Sequence, residues 1–548
     1  MGHRVWYVAP WLVTALVMIP CSVIIGSFVT LEPTVFVETW RHLWQTQLPQ
    51  LIINTLVLVI GVAFGAFLLG TTLAWTIVMY DFPGKRWLDG GLLLPMAIPG
   101  YVIGIVALDH WDYSGAVPSA LRAIFGPEAW FPDIRSTWAV IIAMSLVLYP
   151  YVYIAARTAF REQSQTYLDL ARNMGLNGVQ VYWQVGVRLG RPTIMAGMAL
   201  VIMETLADLG TVSIFAFDTM TTAIYETWFG LFQRQTAIQL SGAVMFVVFL
   251  LFYLERISRG RTRHDQVGGR AKPLVVTRLT GRRALLTALY PLGVVAVAFI
   301  YPLTTLIVWN VETFHEQTAA QYWDMVQLSF NSASVALLSA VIVVVIAVFV
   351  CYAKRILIRN KLVNALTLLG VSGFVLPGTI IALGVMIPLV WIDNHINLIS
   401  ERFFDTTLGL IITGSILGLL IAHTIRFFAV GFYFSDSGLS KITPSMDNAG
   451  MALGAHYGRI FRRIHLPLVK NSLMVGGLIV FIDVCKEMAA TLVIRPFGFD
   501  TLATKIWELS AESYWEDAAL PSVFIVLVML PSVAALIYVS ARSRHARA

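Results

Sequence analysis

Charged residues are scarce in this sequence: Asp, Glu, Lys and Arg make up 13% of its 548 residues, against roughly a quarter in an average soluble domain. With hydrophobic residues at 58%, too few polar groups remain to cover a water-soluble core of this length, and that class is excluded. Cysteine is nearly absent. Cys21, Cys351 and Cys485 lie in or beside apolar runs and form no CxxC pair, which argues against a disulfide framework and for buried, inert thiols. The chain also lacks a GxxxxGK[ST] loop; Gly84-Lys85 follows Pro83 in a basic turn without the rest of that pattern, so nothing offers a backbone cradle for ATP phosphates. No His/Cys/Asp constellation falls at catalytic spacing, which leaves a membrane-bound enzyme without support.

What the sequence has in abundance is long apolar runs. A helix needs about 20 mostly apolar residues to cross the hydrocarbon core. Runs of that kind lie near 8–29, 51–80, 91–108, 137–156, 193–216 and 236–254, and again near 285–309, 331–353, 366–391, 407–434, 471–494 and 520–540. They predict an all-α integral membrane protein of about 12 transmembrane helices in two parallel six-helix repeats. The first run contains Pro10 and Pro20 and ends without a small-x-small cleavage site, so it reads as a retained span and not as a signal peptide.

Loop charges keep this count in phase. With Arg4 on the cytoplasmic side, the inner loops hold Lys85 and Arg86; Arg157, Arg161 and Arg172; Lys354, Arg355, Arg359 and Lys361; Arg459, Arg462, Arg463 and Lys470; and the tail Arg542, Arg544 and Arg547. The outer loops are acidic or mixed, with Asp109, Asp112, Glu128 and Asp133, then Glu312, Glu316 and Asp324, then Glu508, Glu512, Glu516 and Asp517. Both termini are therefore expected in the cytoplasm. The formal charge of +7 sits largely in these loops and in residues 255–284. That basic stretch has no interleaved aromatics, so it reads as a cytoplasmic linker near anionic headgroups and not as a nucleic-acid site. The expected organisation is a first half over 1–254, the linker over 255–284, and a second half over 285–548.

The halves repeat. Asn54-Thr55 opens the second span and Asn331-Ser332 the eighth; Pro99-Gly100 interrupts the third and Pro377-Gly378 the ninth. The loops before the fifth and eleventh spans, at 157–192 and 435–470, carry Asp169-Leu170-Ala171 with Gly175, and Asn448-Ala449-Gly450 with Gly454, the second continuing to Leu466-Pro467. Each is predicted as two short helices broken at the glycine, which can take the left-handed angles that end a helix. Ala171, Ala449 and Gly450 are small enough to let another protein surface approach.

These paired loops resemble the EAA loops of binding-protein-dependent ABC importer permeases, and the fused layout resembles the ferric-iron permeases of that family. So do Glu204 to Phe215 (ETLADLGTVSIF) and Lys486 to Trp507. The resemblance covers nearly the whole chain. It implies a type I importer fold in a bacterial inner membrane and a periplasmic binding protein that delivers substrate. It also implies two cytoplasmic ABC ATPase subunits, docked on Asp169, Leu170, Ala171, Gly175, Asn448, Ala449, Gly450, Gly454, Leu466 and Pro467. This chain then holds no cofactor of its own, ATP and Mg belonging to the ATPase, and catalyses nothing. Asp169 and Asn448 stand where the family has Glu, Gly450 replaces an Ala, and Val187-Arg188 stands where the first loop should have Leu-Pro. These departures put the first loop's mode of engaging its ATPase in question and leave open whether the two loops contribute equally to coupling.

Ionisable groups at membrane depth are functional candidates by default. Glu204 and Asp208 lie one helical turn apart on the fifth span; Asp483, Lys486 and Glu487 share a face of the eleventh. Two readings stand open: a carboxylate-lined path suited to a hard cation, as the family's use of these spans implies, or a cluster that Lys486 neutralises and that locks helices together. Asp109, His110, Asp112 and Tyr113 beyond the third span, with Asp393 and His395 at the related place, are candidate metal ligands in outer loops. His423 and Arg426 read as interface anchors, and Gly61 and Gly65 as a helix-packing pair. Ferric iron leads as substrate on the resemblance; thiamine, polyamine, phosphonate or a sulfate-like anion are the alternatives, and an ion-coupled secondary transporter is the rival class.

Overall fold

The computed structural model describes residues 6–29, 33–259, 274–315, 317–357 and 360–545. Arg4, Glu316, Arg359, Arg547 and the middle of the basic linker, 260–273, lie outside the described residues.

Every predicted run holds a helix. Among the described residues, ten helices are long and apolar enough to cross a membrane, or eleven when one bent pair is taken as a single span. The sixth run, helix Arg234–Arg259, has a described apolar part, Arg234–Leu250, that is shorter than a span. The bent pair is the third run, where Lys85–Ala97 and Gly100–Phe125 meet at 86°. Its cause is Pro99, which has no N–H to donate and sits in extended backbone. Gly100 is needed at the bend because a Cβ there would lie 2.4 Å from Thr211 Oγ1. The ninth run breaks in the same way at Pro377-Gly378.

The fifth and eleventh runs differ from their predicted bounds. Their helices begin before the apolar stretch, at Gly178 and Tyr457, and end at Ala207 and Cys485. Beyond those ends, Asp208 and Glu487 accept hydrogen bonds from backbone N–H groups and start the short helices Gly210–Ile214 and Ala489–Ile494. Each long helix absorbs a π-turn, Tyr182–Val187 or Phe461–His465, at the approach to Pro192 and Pro467.

The repeat extends to single hydrogen bonds. Asn54 Nδ2 donates to Asp218 O (2.9 Å) and Asn331 Nδ2 to Asp500 O (3.0 Å). Thr55 Oγ1 accepts from Met220 N and Ser332 Oγ from Leu502 N. Gly61 and Gly65 do pack a helix closely: a Cβ on either would lie within 2.5 Å of Ile141 or Ser145 on the fourth span.

The two runs that open each half cross over. Helix Val8–Val29 packs among second-half helices: Thr14 Oγ1 donates to Leu366 O (2.8 Å), and a Cβ on Gly384 would lie 2.4 Å from Pro20 Cβ. Reciprocally, Tyr290 and Tyr301 of the seventh run bond Thr72 (2.6 Å) and His110 (2.9 Å) of the first half. The end of the linker is also ordered, with Thr277–Arg278 pairing in parallel with Tyr80–Asp81.

Candidate functional site

The carboxylate-bearing breaks of the two halves face each other across a cavity of about 70 Å³. First-half walls come from Gly100, Tyr101, Glu204, Asp208 and Thr211; second-half walls come from Arg426, Asp483, Lys486 and Glu487. All five predicted path residues, Glu204, Asp208, Asp483, Lys486 and Glu487, are thus brought together. Four carboxyl groups meet two cationic side chains in a place large enough for a few waters.

The expectation that Lys486 neutralises its neighbours holds for Asp483, 2.9 Å away. Glu487 is held instead by Arg426, Nη1 to Oε1 2.9 Å, and its other oxygen lies 3.6 Å from His423 Nε2. Arg426 and His423 are therefore not interface anchors. Both are buried near the middle of Ile416–Ser440, because a guanidinium at that depth is tolerable only beside a carboxylate. Gly378 lets the pair form against the ninth-span break, since a Cβ there would meet both Arg426 Nη1 and Glu487 Oε1. Arg426 also reaches Glu204 of the first half at 3.6 Å, and Tyr151 of the first half donates to Asp483 while accepting from Lys486 Nζ at 3.0 Å. The residues that line the cavity are thus also the ones that tie the helices of the two halves together. Tyr101, Tyr151 and Arg426 were missed by sequence reasoning; an arginine inside a 25-residue apolar helix was the available signal for the last.

The outer-loop residues do not assemble. Asp112 pairs with Arg135 (3.1 Å), His110 Nδ1 bonds Tyr301 OH, and Arg122 covers the Tyr113 ring. Asp393 is buried and accepts from Ile412 N and Thr413 N, whereas His395 bonds Trp391 O. Among the described residues, no group of three or more His, Cys, Asp or Glu side chains could hold a metal ion, and Asp109 joins no such group.

The two loops share a backbone track. Helices Gln165–Asn173 and Pro444–Ala452 end at Gly175 (φ +84°) and Gly454 (φ +75°). In each, an N–H beyond the glycine closes back onto the helix, Leu176 N to Ala171 O (3.2 Å) and Ala455 N to Gly450 O (3.0 Å). Asn177 and His456 then cap the next helix. That next helix is no separate short piece; it runs on as the membrane span, with Leu466 and Pro467 inside it after the π-turn. Ala171 and Gly450 are buried, and a Cβ on Gly450 would meet Ile460 at 3.0 Å, so these small residues serve packing within the chain. The surfaces offered outward include Leu170, Met174, Asn448, Ala449 and Leu453. Asp169 is half-buried and accepts from Gln165 Nε2 (2.7 Å); Gln165 Oε1 accepts from Val275 N of the linker (3.1 Å).

The model for the inner membrane component of binding-protein-dependent transport systems matches residues 66–263, which contain the first of these loops. Over most of its length the chain is similar to the Fe(3+)-transport system permease protein FbpB 2 of Haemophilus influenzae, 24% identical across 88% of this chain and 89% of that one. Residues 66–263 thus carry the membrane domain of binding-protein-dependent transport systems, and the chain as a whole is similar to an ABC importer permease. Part of the chain is also 27% identical to the probable sulfate transport system permease protein cysT of Chlorokybus atmophyticus, over 39% of this chain and 74% of that one. It is 27% identical to the molybdenum transport system permease protein ModB of Escherichia coli, over 30% and 69%. These last two similarities span only part of this chain, whereas the similarity to FbpB 2 spans most of it.

Proposed function

We propose that this permease moves ferric iron into the cytoplasm, received from a periplasmic binding protein and driven by two separate ATPase subunits. The observation that carries the substrate is the cavity between the halves: four carboxyl groups against two cationic side chains, both of which are already engaged by carboxylates. A sulfate-like or molybdate-like anion would meet more carboxyl groups than cations, and both cations are already paired, whereas a hard cation would find oxygen ligands. Similarity to an Fe(3+)-transport permease along most of the chain supports the same reading. The halves correspond to 1–254 and 285–548 with a cytoplasmic linker between them, and both termini lie in the cytoplasm. The ATPases grip the segments Asp169–Gly175 and Asn448–Gly454 and rock the halves about the cavity.

The test is uptake of radiolabelled ferric iron by liposomes holding the permease with its co-purifying ATPase and binding protein, with and without ATP. A Gly175→Pro, Gly454→Pro variant runs beside it, because proline cannot reach the positive φ of either position. ATP-dependent uptake that the variant abolishes is the expected result. ATP-dependent transport of another substrate would overturn iron alone; uptake driven by an ion gradient without ATPase would overturn the coupling.

A further inference from the structure

The carboxylates around the cavity repeat between the halves, but their compensation does not. Glu204 and Asp208 correspond to Asp483 and Glu487 at an offset of 279 residues. On the second half Lys486 stands 2.9 Å from Asp483 and Arg426 2.9 Å from Glu487. At the place of Lys486 the first half has Ala207. Glu204 is approached at 3.6 Å by Arg426 from the other half, and Asp208 is held by Thr211 Oγ1 (2.9 Å) and Val212 N (3.1 Å).

An independent feature marks the same wall. Tyr101 follows the Pro99-Gly100 break, is 4% exposed, and lines the cavity, yet its hydroxyl has no hydrogen-bond partner among the described residues. Leaving a buried hydroxyl unmade costs about 1–3 kcal/mol. The ring is fixed in place, because Gly210 presses on it closely enough that a Cβ there would lie 2.8 Å from Tyr101 Cδ1. A phenol oxygen and two carboxylates are hard donors, matched to a small cation of high charge.

We infer that Tyr101, Glu204 and Asp208 form a transient site for a hard, high-charge metal ion, such as ferric iron, on the first-half wall of the cavity. The site rests on the transport reading above and names where the cargo pauses. Tyr101 gives up its phenolic proton to cavity water as its oxygen meets the metal. Three ligands leave the rest of the ion's shell to water, which keeps binding weak enough for release. The second half differs: Thr379 stands at the place of Tyr101, and its hydroxyl, without a hydrogen-bond partner among the described residues, lies outside the cavity wall.

The test uses the permease–ATPase complex without binding protein or ATP, titrated with ferric citrate and read by visible absorbance, and then the complete transport assay. A phenolate-to-iron charge-transfer band in the wild type is expected, absent in Tyr101→Phe, with ferric uptake by that variant falling about tenfold or more. Thr379→Val should keep both the band and the uptake, and co-elution of the ATPase with each variant reports folding. A wild type without the band, a Tyr101→Phe variant that keeps it, or uptake falling equally in Tyr101→Phe and Thr379→Val would overturn the site. Because the band is read at rest, a complex that binds iron but never transports it would sink the transport reading and leave the site standing.

Discussion

The two loops follow one backbone path and are fastened by different chemistry. In the second loop Asp447 is clamped by Arg355 (2.8 Å) and His465 Nε2 (2.6 Å), and Arg355 also donates to Leu439 O and Ile442 O. Tyr352 OH completes the fastening on Tyr457 O (2.7 Å). At the same 279-residue offset the first loop has Leu168 for Asp447 and Gly186 for His465. Leu168 is fully buried, and Gly186 makes room for the Trp75 ring, whose Cζ3 would lie 2.4 Å from a Cβ there. Tyr182 packs edge-on to Trp75 and bonds Thr71 at 2.6 Å. The two loops thus share the turn, the cap and the π-turn, and differ in fastening, ionic in the second and largely apolar in the first.

The largest effect should come from cutting the apolar fastening. Leu168→Ala removes a buried side chain and should destabilise the first loop locally by about 3 kcal/mol, read as faster amide exchange over 164–176 with 443–455 unchanged. Arg355→Ala should do the reverse. It leaves the partly exposed Asp447 to His465 alone and takes the donor from Leu439 O and Ile442 O, so we expect about 2 kcal/mol, the solvent-discounted cost of breaking such a clamp. Exchange that rises equally in both loops for either variant would break the comparison. Gly175→Ala and Gly454→Ala should cost nearly the same, about 1 kcal/mol each, since both sites have open space and pay backbone strain alone. Melting temperatures that differ widely between the two would show that the shared path is not equally required. The smallest effect is salt: raising ionic strength should speed exchange in the second loop by less than about 1 kcal/mol equivalent and leave the first unmoved.

Much of this was legible in the chain. Apolar runs located the helices, and Pro-Gly pairs located the breaks in the third and ninth spans. Gly175 and Gly454 announced the turns because few other residues tolerate those angles. What stayed hidden depends on partners distant in sequence. Arg426 read as an interface anchor because its carboxylate lies 61 residues away, and Tyr151 finds Asp483 across 332. Gly450 read as a contact for another protein because nothing local reveals that Ile460 folds back onto it. The early starts of the fifth and eleventh helices escaped because Gly178 and Tyr457 begin in polar sequence, ahead of any hydropathy signal.

The crossing of the first helix has a consequence for biosynthesis. Thr14 reaches its acceptor Leu366 across 352 residues. At a synthesis rate of about 5–20 residues per second, that acceptor emerges roughly 20–70 s after Thr14 does. During that interval the leading helix sits in lipid without its seat, and its hydroxyl relies on the bond to Pro10 O in its own helix. The seventh helix faces no such delay, since the first-half surface it joins is already inserted when it leaves the ribosome.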